Sequence, residues 1–259
     1  MWNYCTQEIF PFNHSKIFSV LNYKISALTV LCELRPPFDL RKPLAVWSCS
    51  LAIFSIAGAL RTWTELLQVM SRGGLYQAVC RPSFITEDRV AGLWTYLFVL
   101  SKVMELFDTA FIVLRKQRLI FLHWYHHITV MWLCFYSYID VSASCRLFMV
   151  MNYTVHSVMY TYYTMKALRV RVPRALAMLT TSLQLLQMVL GGLVTGLVHH
   201  YKGSGVSCAV SYEQNRLSFL IYFSYFCLFA RWADYIKTKL FENSRSNNHN
   251  QAPERNCRR

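Results

Sequence analysis

The sequence predicts an all-α polytopic membrane protein of seven transmembrane helices. Of its 259 residues 54% are hydrophobic and 15% charged, and uncharged runs approaching the ~20 residues that span a bilayer core recur along it. Arg, Lys, Pro and Gly gather in the short stretches between those runs. The runs cover residues 17–34, 44–70, 90–114, 119–139, 145–165, 175–198 and 217–236. The first is the weakest, because Asn22 and Lys24 interrupt it. Residues 1–240 read as one seven-helix membrane domain and 241–259 as a polar, disordered cytosolic tail. No short apolar run ends in a small-residue cleavage site near the start, so no cleavable signal peptide is expected.

Charge placement orients the bundle. The net charge of +14 is no sign of nucleic-acid binding, because the basic residues change sides once the helices are threaded. Arg35, Arg41, Lys42, Arg115, Lys116, Arg118, Lys166, Arg169, Arg171, Arg174 and those from Arg231 onward fall on one side. Lys16, Arg72, Arg81, Arg89, Arg146, Lys202 and Arg216 fall on the other. The richer side is cytosolic by the positive-inside rule, which places the N-terminus luminal or outside and the C-terminus in the cytosol. Those cytosolic charges could also attract a polyanionic substrate. The nine cysteines show no CxxC pair or zinc spacing, so no metal site is expected. Cys80 and Cys208 fall on the luminal side, where a disulfide can persist, with Cys5 and Cys145 as rival partners.

Inside the runs, polar residues fall in register. In 90–114, "KVMELFDT" sets Lys102, Glu105, Asp108 and Thr109 along one face, as an internal ion pair that tolerates burial would also do. In 119–139, "FLHWYHHITV" sets His123, His126 and His127 on one side of about one turn. One histidine on an apolar helix is usually a packing residue, but three on one face point to a site, because ionisable groups are costly in a membrane. In 145–165, Asn152, His156, Met159 and Tyr163 align, with Tyr160 beside them. In 175–198, Thr181, Gln184 and Gln187 align as interhelical hydrogen-bonding groups would. Farther along that run, Gly191, Gly192 and Gly196 either leave room for a ligand or pack helices closely. Counted inward at 1.5 Å per residue, the polar groups of all four runs lie about 6–18 Å from the cytosolic surface, the level of a chamber open to the cytosol.

Two chemistries suit an HxxHH cluster in a membrane: metal-bound oxygen activation, or histidine acting as base or nucleophile. A di-iron desaturase or hydroxylase needs about eight imidazoles in its boxes. The chain has eight histidines in all, with His14, His249, His199 and His200 away from the chamber. The second chemistry fits better, with imidazole attacking or deprotonating a carbonyl compound while Lys102, Asn152 and the glutamines offer donors to developing negative charge. A receptor would place its polar groups toward the other side, and a transporter would show paired Gly/Pro-broken helices.

The series Lys102-x-x-Glu105-x-x-Asp108-Thr109, His123-x-x-His126-His127, Asn152-x-x-x-His156-x-x-Met159-Tyr160-x-Tyr162-Tyr163 and Thr181-x-x-Gln184-x-x-Gln187 resembles the four boxes of the very-long-chain fatty acyl elongases. The resemblance runs from about Leu40 to Ile236. Through "LRKPLAVWS" and "SIAGALRTW" it is nearest the elongase 6 and elongase 3 subgroup. It implies a barrel of helices two to seven enclosing an acyl tunnel, in the endoplasmic-reticulum membrane. The implied reaction condenses an acyl-CoA with malonyl-CoA to a 3-ketoacyl-CoA, carbon dioxide and CoA, with no tightly bound cofactor. Basic loops including Arg115 and Lys116 then suit the CoA phosphates. By analogy with thioester chemistry, His126 takes the acyl group, His123, His127 and His156 orient it and exchange protons, and Asn152 steadies an oxyanion. Lys102, Glu105, Asp108, Thr109, Tyr160, Tyr163, Thr181, Gln184 and Gln187 would contact substrate. An inactive paralogue would carry the same boxes. Implied partners are membrane lipids and the keto-reductase, dehydratase and enoyl-reductase of the cycle, with homo-oligomer formation open. The chain departs from the family at Phe107, where the nearest subgroup usually has Gly, and at "DVSASCRLF", which replaces a Gly-rich stretch. Its "RNCRR" end lacks the di-lysine signal of many members.

The orientation is testable by glycosylation. Asn13-His14-Ser15 and Asn152-Tyr153-Thr154 are both acceptor sequons. Endoglycosidase treatment should reveal any glycan on Asn13 and none on Asn152. Modification of a sequon introduced at 115–118 would invert the topology.

Overall fold

The structure, a computed structural model, describes residues 37–117 and 119–250. The expected span 17–34, Asn13, Cys5, Arg35, Arg118 and residues 251–259 lie outside the described residues. Within them every regular element is helical: α1 Arg41–Cys80, α2 Ser83–Thr86, α3 Arg89–Met104, α4 Leu106–Leu114, α5 Phe121–Ile139, α6 Cys145–Ala167, α7 Arg174–Gly203 and α8 Tyr212–Asn250. Helices thus occupy the six later segments expected from sequence. Two of them, α1 and α7, are long and apolar enough to cross a membrane on length and composition. α3 has only 16 residues, and the interior polar residues of α5 and α6 lower their hydropathy.

Local chemistry explains the boundaries. Pro43 sits in the first turn of α1, where a missing N–H costs nothing. Gly74 breaks α1 near its end with φ 66° and ψ −166°, a backbone open to a residue without Cβ. The α3 N-terminus is capped by Asp88, whose Oδ1 accepts from Val90 N (2.8 Å) and Ala91 N (3.0 Å). The single span expected over 90–114 divides at Glu105, where Asp108 N donates to Glu105 O (3.1 Å) and tightens the turn. No Gly or Pro occurs between Tyr212 and Asn250, and helical backbone in α8 continues past residue 240, where a disordered tail was expected.

The long helices close into a ring. α1 packs on α6, α6 on α7, α7 on α8, α8 on α5, α5 on α3 and α3 on α1, with α1 and α6 sharing the longest interface. Large apolar side chains face outward: Val46, Ile53, Leu60 and Leu67 from α1, Leu186 and Leu193 from α7, Phe219 and Phe223 from α8. Lys102, Glu105, Asn152 and His156 are buried within. Polar groups inside and hydrocarbon outside is the distribution of a protein solvated by lipid.

One end of the ring is sealed. A disulfide joins Cys80 to Cys208 with Cα atoms 4.3 Å apart, while Cys145 is a buried free thiol. Ala209 N donates to Cys80 O (3.0 Å) and Ala143 N to Ala209 O (2.9 Å), binding three connections together. Beneath them Arg146, fully buried, donates to Gln77 O (2.9 Å), Ala78 O (3.0 Å) and Ser83 Oγ (2.6 Å). It also pairs with Glu65 (3.1 Å). In the departing "DVSASCRLF" stretch, Val141 takes φ 47°, a left-handed conformation costly for a β-branched residue. Phe107 faces outward and meets the edge of Trp47.

Arg146→Ala would leave Glu65 buried without its partner and several carbonyls without a donor. Its expected cost is about 3–5 kcal/mol, read as a lowered thermal midpoint of the detergent-solubilised protein. The exposed Arg72→Ala should leave the midpoint in place. Equal midpoints for the two variants would show that the Arg146 contacts carry no net stability.

Candidate active site

Four elements bring the boxes together. Along α3 and its break, Lys102 and Glu105 stand one turn apart, and Lys102 Nζ lies 2.7 Å from Glu105 Oε1. The same ammonium donates to Asn152 Oδ1 on α6 (2.7 Å) and rests 4.4 Å above the Phe98 ring. Because the Asn152 oxygen accepts from Lys102, its NH2 faces His156 Nε2 at 3.1 Å. That nitrogen is then an acceptor, which puts the ring proton on Nδ1, directed at Glu105 Oε1 3.6 Å away. Ser101 Oγ also donates to Glu105 Oε1 (3.2 Å). Glu105 Oε2 and His127 Nδ1 are buried without a hydrogen-bond partner.

The histidines of α5 stand opposite. The His123 and His127 rings are 4.4 Å apart between centroids, and those of His126 and His127 5.5 Å. His123 Nε2 meets Thr109 Oγ1 at 3.2 Å. On its other side His126 packs on Tyr225 of α8 at 4.9 Å. The Tyr225 hydroxyl is fixed by Thr129 (2.6 Å) and donates toward His126 O (3.4 Å). Nearer the open end, Asp108 accepts from Trp47 Nε1 (2.7 Å) and from the Tyr160 hydroxyl (2.7 Å), joining α1, α4 and α6. Gln184 Nε2 reaches Met159 Sδ at 3.3 Å.

A cavity of about 820 Å³ opens from this cluster to one end of the ring. Of the residues singled out in the sequence, Asp108, Arg115, His123, His126, His127, Asn152, His156, Tyr160, Tyr163, Gln184 and Gln187 line it. Lys102, Glu105 and Thr109 stand behind that wall as partners of Asn152, His156 and His123. Thr181 turns its hydroxyl back to Ala177 O (3.2 Å), and Lys116 lies outside the lining, in a left-handed turn with φ 52°. Arg41, Lys166 and Arg169 join Arg115 at the mouth. At His126, Asn152, Gln187 and Met188 the cavity adjoins a narrow extension of about 30 Å³ toward the disulfide end. Its walls are mainly apolar.

Reading the sequence missed Trp47 and Tyr225. Both look like ordinary membrane aromatics, and nothing in spacing alone shows which aromatic hydroxyl or indole N–H meets a buried acceptor. Lys166 and Arg169 were read as topological charges that could also attract a polyanionic substrate, and the cavity places them at its mouth. Of the three glycines singled out in α7, Gly191 is buried against Tyr222, whereas Cβ atoms at Gly192 and Gly196 would meet nothing within 4 Å. Those two neither line the chamber nor pack a neighbouring helix closely.

The chain is similar along most of its length to known proteins. The chain is 54% identical over 200 residues to very long chain fatty acid elongase 6 of Drosophila melanogaster, covering 76% of this chain and 63% of that relative. It is 49% identical over 198 residues to very long chain fatty acid elongase 3 of Mus musculus, covering 76% and 72%. With very long chain fatty acid elongase 6 of Homo sapiens it shares 47% over 202 residues, covering 78% and 76%. Residues 11–243 match the ELO (GNS1/SUR4) family, and the chain belongs to that family.

Proposed function

We propose that the protein elongates fatty acyl chains by condensing an acyl-CoA with malonyl-CoA to give a 3-ketoacyl-CoA, carbon dioxide and CoA. The observation that carries this reading is the position of His126 at the junction of two spaces. One is a wide cavity with a basic rim; the other is a narrow apolar extension. A CoA thioester has this polarity. Its phosphates suit Arg41, Arg115, Lys166 and Arg169, and its tail suits the extension.

In the proposed course a neutral His126 imidazole attacks the thioester carbonyl and an acyl-imidazole forms. The C–S bond breaks, and CoA departs as the thiol with the ring proton. Malonyl-CoA then enters the same mouth. Loss of carbon dioxide leaves a carbanion at its α-carbon, which attacks the acyl carbonyl, and the expelled imidazole takes a proton that originates from solvent water at the open mouth. Asn152 lines the same chamber as His126 and offers its remaining N–H to the tetrahedral oxyanion, and the Lys102 contact polarises that amide. Glu105 orients His156 through Nδ1, so that Nε2 can receive and return a proton at the chamber. His127 and Tyr225 flank the nucleophile's ring, and His123 stands behind His127. The protein resides, in this proposal, in the endoplasmic-reticulum membrane with the wide mouth toward the cytosol. Keto-reductase, dehydratase and enoyl-reductase enzymes would consume its product.

Incubation of the purified protein with acyl-CoA alone should release CoA and add one acyl mass to the chain. His126→Ala should abolish both and lower condensation with labelled malonyl-CoA by on the order of 10³-fold or more. A chelator should leave turnover unchanged. Condensation without any acyl-enzyme, or activity lost to a chelator and restored by iron, would refute this course.

A further inference from the structure

If His126 carries the acyl group, as proposed above, the tail must pass into the narrow extension. From His126 to Ser137, at its far end, α5 rises about 16 Å. An extended alkyl chain advances roughly 1.25 Å per carbon, given its ~1.5 Å bonds. Measured to Ser137 the path is about a dozen carbons long, and a side chain standing before Ser137 shortens what a tail can use. Its free volume of about 30 Å³ is only about the liquid volume of one water, so side chains along the path must yield to the tail. What limits the chain is the side chain that cannot yield.

Tyr222 has that character. It lines the extension from α8 and is buried. Its ring stacks on Phe148 of α6, with centroids 4.8 Å apart and planes 24° from parallel. The back of the ring rests on Gly191 of α7, where an added Cβ would lie 2.3 Å from both Cδ1 and Cε1. Three helices thus fix one ring, and the absent side chain at 191 is the space in which it sits. Past it, Ser137 Oγ accepts from Gln214 Nε2 at 2.7 Å, and Gln214 is fully buried. A methyl end driven farther would break that bond and leave a buried amide unsatisfied, which costs more than the added methylene returns.

We propose that Tyr222, seated between Gly191 and Phe148, sets the upper limit of acyl chain length, with the Ser137–Gln214 hydrogen bond as the floor behind it. A methyl at 191 pushes the ring away from α7, and with Phe148 holding its other face the ring moves into the tail's path. Removing the ring lengthens that path.

The test is relative kcat/KM across a series of saturated acyl-CoA lengths with labelled malonyl-CoA. Gly191→Ala should lower the ratio of the longest to the shortest accepted substrate by about tenfold or more, and Tyr222→Ala should raise it by a similar factor. Tyr222→Phe keeps the ring and should keep the wild-type profile. So should Gly192→Leu, whose side chain enters open space. Unchanged profiles in both Gly191→Ala and Tyr222→Ala, or equal loss at every length in both, would overturn the proposal and leave these residues a packing role. Wild-type protein that elongates no acyl-CoA of any length would instead overturn the functional reading on which the proposal rests.

Discussion

Lys102 and Glu105 are buried to 1% and 3% exposure in a ring whose outer face is hydrocarbon. Two charges in such a place are tolerated only where the geometry is close and their remaining donors and acceptors find partners. Each partner recruited for that purpose lies in the site. Asn152 accepts from Lys102, His156 faces Glu105, and Ser101 donates to the same carboxylate oxygen. The pair therefore couples α3 to α6 and fixes the orientation of the Asn152 amide, and through it the protonated nitrogen of His156. Satisfying a buried ion pair and preorganising a reaction chamber are, here, one arrangement.

The remaining architecture protects that cluster. A ring of helices, apolar outside, keeps its polar groups from lipid. At one end the Cys80–Cys208 bridge and the Arg146 contacts seal the ring. At the other the cavity opens between basic side chains. Under the proposed function this asymmetry gives the substrate one orientation, with a charged head at the mouth and a tail directed toward the seal. In the proposed reaction both thioesters use the same mouth in turn, which suits an order in which CoA leaves before malonyl-CoA arrives.

Much of this was legible in the sequence because membrane folding leaves strong traces. Apolar runs locate helices, and ionisable residues inside them are too costly to be incidental. His123, His126 and His127 declare a face by spacing alone, and the Lys102–Glu105 pair is an i, i+3 contact. What spacing cannot carry is direction across helices. Lys102 and Glu105 read as substrate contacts, yet they stand behind Asn152 and His156. Trp47, 61 residues before its partner and outside every box, supplies a hydrogen bond to Asp108. The break at Glu105 has no Gly or Pro to announce it. Gly191, Gly192 and Gly196 look alike in sequence, but one residue of helical rotation separates the buried position from the open ones. Past residue 240 the polar composition suggested a tail, and the absence of Gly and Pro there leaves helical backbone open to it as well.

The central claim of this account is that a histidine at the junction of mouth and extension holds the acyl group while the tail lies inside the ring. An experimental structure of the protein trapped with a long-chain acyl-CoA in the absence of malonyl-CoA tests it most directly. The account predicts continuous density from the His126 imidazole to the acyl carbonyl, with the tail running past Cys134 and ending against Tyr222. An intact thioester held away from His126, or a tail lying between helices on the lipid-facing side, would contradict it.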